Sequence, residues 1–326
     1  MKCYRELAWG EGVLAGILVI KLGALGDFIQ ACGPFKAIRE HHSGEKITLL
    51  TTKPFASIAM ASDYFDSVWV DERPSLLQLG AWLRLRRRLK SGYFTRVYDL
   101  QTSDRTALYY RLFGTKSTPE WSGIAENCSH PHWNPRRDHM HTLDRQSEQL
   151  RDAGVTCVLP PELNWLGSEI AKFELSGKYA LLVPGGSVRR GNKRWPPHQF
   201  KELAQKLTVA GLRVALIGQA SESVLHSDVA DKRDGVISLA GATTLAEVAA
   251  LGRSATVSIG NDTGPMHILA AGGRPTFVLF GGASDPALCA PRGENVRCLI
   301  SRDHGPIEDL SVRQVWEAVG SLVGSA

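Results

Sequence analysis

At 326 residues the chain is long for a single domain, and 43% hydrophobic with 22% charged residues describes a folded protein with a sizeable core. A formal net charge of +5, with a pI near 8.9, suits an anionic substrate or surface and excludes a dense nucleic-acid-binding arm. The six scattered cysteines contain no C-x-x-C pair and read as reduced thiols, and no apolar run reaches the ~18 residues that span a bilayer. The nearest such run, residues 13–20, follows Glu6 and Glu11, which spoil the basic leader of a secretion signal, so a cytoplasmic protein is expected.

Residues 16–22 are expected as a first parallel strand, and a helix opens at Asp27 and runs to about residue 41. The junction Lys21-Leu22-Gly23-Ala24-Leu25-Gly26-Asp27 lacks both the G-x-G-x-x-G of a dinucleotide fold and the G-K-[ST] of a P-loop. It does place a carboxylate, Asp27, at the carboxyl end of the strand, where open α/β sheets keep their chemistry. Capping the helix is the alternative role for the same residue.

Strands at 47–51, 67–70 and 97–100 then alternate with helices at 55–61, 75–90 and 105–112, which implies a parallel sheet with right-handed crossovers. In the 75–90 helix Leu79, Trp82, Leu85 and Leu89 share one face, while Arg84, Arg87 and Arg88 share another beside Arg86 and Lys90. That run is either a solvated face or a docking surface for an anionic membrane or phosphorylated glycolipid. Residues 114–140 look irregular and crowd His130, His132 and His139 ahead of His141. H-x-H beside proline is not the spacing of a structural zinc site, so a substrate-facing loop or plain surface is expected. A helix at 141–153 and a proline-bearing stretch at 157–176 lead out of the first domain.

A second sheet is expected from strands at 179–183, 214–218, 236–239, 256–259 and 275–280, with helices at 197–210, 221–232, 244–251 and 266–271 between them. Its first strand ends in Pro184-Gly185-Gly186-Ser187 and a basic loop, residues 189–194, closed by Trp195-Pro196-Pro197. Lys193 in that loop is placed to clamp a diphosphate. Gly260-Asn261-Asp262-Thr263-Gly264 ends a later strand, and Pro265 suits the first turn of a helix. Strand, glycine turn and helix N-terminus together offer an anion site. Asp262 or Thr263 could instead be a simple cap, although a cap does not ask for His267 one turn inside.

Three segments, in order and across nearly the whole chain, resemble glycosyltransferase family 9, the ADP-heptose:lipopolysaccharide heptosyltransferase group. They are Lys21-x-Gly-x-x-Gly26-Asp27, then Pro184-Gly185 with Lys193-Arg194-Trp195-Pro196, then Gly260-Asn261-Asp262-Thr263-Gly264-Pro265-Met266-His267 backed by Phe280-Gly281 and Asp285-Pro286. The resemblance implies an α/β GT-B fold, two Rossmann-like doubly wound parallel-sheet domains facing across a cleft. Residues 1–175 would hold the acceptor, 176–305 the nucleotide sugar, and 306–326 a helix packing back toward the first domain.

The same resemblance implies inverting transfer of heptose from ADP-heptose to a lipopolysaccharide core acceptor. Asp27 would be the base and Lys193 would neutralise the leaving diphosphate. Gly185, Glu222, Asn261, Asp262, Thr263, Gly264 and His267 would hold the donor, and Gly26, Arg84, Arg87 and Arg88 the acceptor. The chain has no D-x-D motif, so neither a metal clamp nor a cofactor is expected. The expected partners are an ADP-sugar, an anionic glycolipid and the cytoplasmic face of the inner membrane, with no nucleic acid. A GT-B transferase of another nucleotide sugar and a non-catalytic nucleotide-sugar-binding module remain open beside it. Gly23 and Ala24 stand where the family carries hydroxyl residues.

Overall fold

The computed structural model describes residues 16–114, 118–186, 188–230 and 235–323. Ser187, Cys3, the start of the apolar run at 13–15 and the last residues of the helix expected at 221–232 lie outside them. The first unit contains β1 (Gly16–Ile20), α1 (Leu25–Gln30), α2 (Cys32–His41), β2 (Ile47–Thr51), α3 (Lys53–Ala61) and β3 (Ser67–Val70). It continues with α4 (Leu79–Ser91), β4 (Phe94–Asp99), α5 (Asp104–Phe113), β5 (Glu120–Gly123), β6 (His130–Pro131) and α6 (Thr142–Asp152). The second contains β7 (Tyr179–Val183), α7 (Pro197–Val209), β8 (Arg213–Leu216), α8 (Ser223–Val229), β9 (Val236–Ser238) and α9 (Leu245–Ser254). It closes with β10 (Val257–Asn261), α10 (Gly264–Ala270), β11 (Thr276–Phe280), α11 (Pro286–Cys289), β12 (Val296–Ile300) and α12 (Val312–Val323).

Each unit is one parallel sheet of six strands, ordered β3-β2-β1-β4-β5-β6 and β12-β11-β10-β7-β8-β9. Strands β1, β2, β7, β10 and β11 are buried along their whole length, as sheets covered by helices on both faces require. The strand order reverses between β1 and β4 and again between β7 and β10. Open α/β sheets form their binding crevices at these reversals, outside the carboxyl ends of the strands.

The expected helix from Asp27 to residue 41 is two helices meeting at Ala31. Pro34, in the first turn of α2, has no N–H for the carbonyl of Gln30, so a continuous helix would lose that bond and meet the proline ring there. The stretch 114–140 carries two short strands, β5 and the edge strand β6, and a sixth strand in the second unit, β12, was not foreseen. All three lack the long β-branched run that announces a strand, and β6 is only two residues. The closing helix corrects another expectation. Its buried valines, Val312, Val315 and Val319, share a core with Trp195, Phe200 and Leu207 of the second unit, and α12 lies on α7 rather than toward the first unit.

The two units meet through α1 and α10, and one apolar core runs through both, joining Phe28 and Phe55 to Met266 and Ile268. The approach is close enough that a Cβ on Gly264 would sit 2.8 Å from Leu25. This contact brings the two crevices face to face.

Candidate active site

The first crevice is built from the ends of β1 and β4. Gly23 turns the chain with φ +126°, and a Cβ there would lie 2.6 Å from the Phe55 ring, so glycine is required. The buried Lys21 donates its Nζ to the carbonyl of Leu100 at 3.1 Å, tying the two strand ends together. Ala24, not Asp27, occupies the N-cap position of α1. The Asp27 carboxylate sits half-buried in the first turn and makes no hydrogen bond or ion pair among the described residues. A capping role therefore does not account for it.

Around this carboxylate the fold collects charges that the sequence reading passed over. Asp99, at the end of β4, is fully buried, which pushes its carboxyl up to about 6 although the N–H groups of Gln101 and Thr102 donate to it at 3.1 and 3.0 Å. Burial also lowers Lys21, with Asp27 and Asp99 opposing that shift and Arg145 and Arg137 adding to it. Arg137 is pulled down to about 10 by burial and by its neighbour Arg145. Gln146 on α6 has both amide atoms buried with no partner among the described residues. The carboxyl end of the first sheet thus gathers Lys21, Arg137 and Arg145 around Asp99 and Asp27, and among the described residues the Asp27 carboxylate makes no hydrogen bond or ion pair.

The second crevice is closed more tightly. Asn261, at the end of β10, accepts from the N–H of Trp195 at 2.9 Å and donates to the carbonyls of Pro184 and Gly185 at 2.8 and 3.2 Å. Its whole amide is committed to joining β7, β10 and the basic loop, so it shapes the crevice from behind. Lys193 donates to Asp262 at 2.8 Å in a mostly buried ion pair. Glu222 accepts from the N–H groups of Gly186 at 2.9 Å and Gln219 at 2.7 Å. A Cβ on Gly185 would fall 2.0 Å from the Glu222 carboxylate, so that glycine is what lets the carboxylate reach the strand end.

Glu222, Gly185 and Thr263 line a cavity of about 710 Å³ that also touches Leu25 and Phe55 of the first unit. Thr263 is the N-cap of α10 in extended conformation, yet its side chain makes no cap hydrogen bond, and the residue lines this space.

His267 does not face the cavity. It is buried with Nδ1 3.3 Å from the Gln30 amide of α1, and a Cβ on Gly26 would meet its ring at 2.8 Å. Gly26 thereby gains a packing role, the close approach of α1 to α10. Burial lowers His267 to about 4 and keeps it neutral, even with Asp262 and Asp27 both near enough to pull the other way. The order across the contact is Asp27, neutral His267, Asp262 and Lys193, with the two carboxylates contributed by different units. Gln30 also donates to the carbonyl of Cys289 at 3.2 Å. His141 donates to that of Ala290 at 2.9 Å, and Arg292 pairs with Asp144 at 2.5 Å. The segment around α11 is therefore clasped from the first unit.

Arg84, Arg87 and Arg88 are not brought to this place. They lie on the outer side of α4, where Arg88 covers the Trp69 ring at 4.6 Å and Arg84 edges a separate cavity of about 260 Å³. His132 pairs with Glu148 at 3.1 Å and His141 holds a backbone carbonyl, so both have structural partners. Among the described residues no group of three or more His, Cys, Asp or Glu side chains is placed to hold a metal ion.

Comparison with known proteins decides the lineage. The sequence profile of glycosyltransferase family 9 (heptosyltransferase) matches residues 82–316, which is most of the chain. The chain belongs to glycosyltransferase family 9. Lipopolysaccharide heptosyltransferase 2 of Salmonella typhimurium is 28% identical over 314 residues, covering 87% of this chain and 87% of that protein. The structure of E. coli ADP-heptose lps heptosyltransferase II superposes with a TM-score of 0.80 at 22% identity, over 94% of this chain and 98% of that one. The family 9 glycosyl transferase of Veillonella parvula gives 0.81 at 20% identity, over 97% and 99%. The architecture is GT-B, and the protein is a glycosyltransferase.

Within this family 9 enzyme the two crevices meet across the α1–α10 contact. Lys21 was visible in the first motif but carried no assigned role. Gln30, Asp99, Arg137 and Arg145 had no motif to mark them, because their meaning depends on strand ends and helices that meet only in the fold.

Proposed function

We propose that the enzyme transfers heptose from ADP-heptose to a lipopolysaccharide core acceptor, with inversion and without a metal ion, at the cytoplasmic face of the inner membrane. One observation carries the reading. An uncommitted carboxylate, Asp27, stands across the α1–α10 contact from a buried cation, Lys193, held ready by Asp262. Asp27 takes the proton of the acceptor hydroxyl as that oxygen attacks the anomeric carbon. The bond from that carbon to the diphosphate oxygen breaks, and Lys193 turns from Asp262 to the departing charge. Thr263 and Gly264 meet the phosphates, and Glu222 meets the ribose hydroxyls beside Gly185.

On the acceptor side Lys21, Arg137 and Arg145 make the first crevice positive, which suits an anionic glycolipid. Related proteins of the family are named for lipopolysaccharide heptose transfer, and the E. coli enzyme for ADP-heptose. Among the described residues no helix is long and apolar enough to cross a membrane.

The test is a panel of nucleotide sugars added to the purified protein in excess EDTA. ADP-heptose is expected to raise the melting temperature and to support transfer, while UDP- and GDP-sugars do neither. A larger shift from another nucleotide sugar would replace heptose as the donor. Loss of transfer in EDTA, restored by magnesium, would overturn the metal-free mechanism.

A further inference from the structure

The carboxyl-end rim of the first sheet carries exposed apolar side chains at both of its edges. In the order β3-β2-β1-β4-β5-β6 all strands are parallel, so the connections leaving β3 and β6 emerge on the same rim as Lys21, Asp27 and Asp99, one at each end. The connection after β3, running into the start of α4, presents Leu77, Leu76 and Leu79 at 93%, 72% and 71% exposure. The connection after β6 presents Trp133 at 84%.

These side chains stand on built segments. Trp82 donates to the carbonyl of Ser75 and Arg105 to that of Pro74, each at 3.0 Å, and Tyr109 donates to Asp71 at 2.6 Å. At the other edge Asn134 donates to Glu148 at 2.7 Å. Soluble surfaces rarely hold several such leucines together in water without a partner.

The charge beside them identifies that partner. Arg73, Arg84, Arg87 and Arg136 are exposed on the same segments or the adjoining helix, and among the described residues none is ion-paired with a carboxylate. Asp71, Glu72 and Asp138 are the acidic residues on these connections; Asp71 is buried, and with Arg84 and Arg87 of the adjoining helix the exposed balance is positive. Leucines and a tryptophan set among unpaired guanidinium groups are the composition of an interfacial membrane contact with anionic lipid. We propose that this rim docks on an anionic lipid bilayer, with Leu76, Leu77, Leu79 and Trp133 entering the interface and the first crevice opening between them. The inference deepens the proposed glycolipid acceptor and rests on that reading for the direction of approach. The arginine run of α4 then acts as part of the docking surface instead of touching the reacting sugar.

The full chain is sedimented with vesicles of phosphatidylcholine alone and with vesicles that also contain phosphatidylglycerol. Wild type is expected to bind the anionic vesicles in a salt-sensitive way. The double variant Leu76→Ser, Leu77→Ser and the single variant Trp133→Ser should bind less, the double by about tenfold or more. Val209→Ser, at an equally exposed position on the second unit, should bind as wild type does. All four side chains lie on the surface, so unchanged melting temperatures are expected and separate docking from unfolding. Binding that ignores lipid charge, or that survives the double variant, would overturn the proposal. So would pelleting without lipid that the leucine variants abolish, since the face would then join copies of the chain.

Transfer to an acceptor stripped of its acyl chains separates this idea from the function itself. The docking variants should keep wild-type turnover on that acceptor and lose it on the acylated one in vesicles. Vesicle binding without any transfer from ADP-heptose would leave the docking surface standing and remove the donor assignment.

Discussion

The two halves of the enzyme reach the same topology and put it to different uses. Both place a crevice where the strand order reverses, between β1 and β4 in one and between β7 and β10 in the other. The second crevice is satisfied in advance. Asn261 bonds three backbone groups, Glu222 bonds two, and Lys193 is paired with Asp262. The first is not: among the described residues Asp27 has no side-chain partner and Gln146 none for either amide atom, and Asp99 stays buried at a raised pKa. A pre-satisfied crevice holds a ligand in one pose, whereas an unsatisfied one keeps groups free for proton transfer and for anchoring an anionic partner. The comparison supports the proposal that the second unit binds the donor and the first does the acid–base work.

Substitutions can break that division, and the largest effect is expected at Asp27. Asp27→Asn keeps shape but cannot accept a proton, and turnover should fall by about 10²–10⁴-fold in a steady-state assay. Because Ala24 holds the cap position, the variant should lose no more than the roughly 0.5 kcal/mol of a first-turn charge.

Next is Lys193→Ala. It removes the cation and leaves Asp262 facing the diphosphate, so calorimetry should show donor binding weakened by about 1.5–3 kcal/mol, or roughly 10- to 150-fold. Unchanged affinity would return Lys193 to a structural pairing.

The effect expected to be smallest at neutral pH is at the seam. His267 is lowered to about 4 in the folded protein, against an unfolded value near 6.5. Its contribution is therefore complete above the unfolded value and is lost as pH falls from about 6.5 toward 4, with a slope of up to ~1.4 kcal/mol per pH unit. Chemical denaturation of His267→Gln across that window should show the slope reduced. An identical slope in the variant would mean that the histidine is not held neutral between the units.

The alternation of strands and helices was readable because buried parallel strands are continuous apolar runs bounded by glycine and polar turns. That reading fails for β5, β6 and β12, whose short sequences gain strand character only from a neighbour already in place. The destination of α12 was equally hidden, since a row of valines says that one face is buried and not what covers it. Asp27, Lys193 and Asp262 stood out in the sequence as charged residues beside glycine turns, with a capping role left open for Asp27 and Asp262, and their proposed roles came from the family resemblance. Asn261 and His267 belong to the same motif and looked like ligands. The fold instead commits one to three backbone groups and buries the other against Gln30. Nothing in the one-dimensional pattern marks Arg137 and Arg145 as neighbours of Lys21, because α6 and the loop before it reach β1 only across the sheet.

The division of labour between the crevices is tested most directly by measuring the donor dissociation constant and kcat on one preparation of Asp27→Asn. The account predicts a donor affinity within about twofold of wild type, the scatter of a lost weak contact, together with a kcat reduced at least ~100-fold. Donor affinity and kcat falling together, or kcat near the wild-type value, would contradict it.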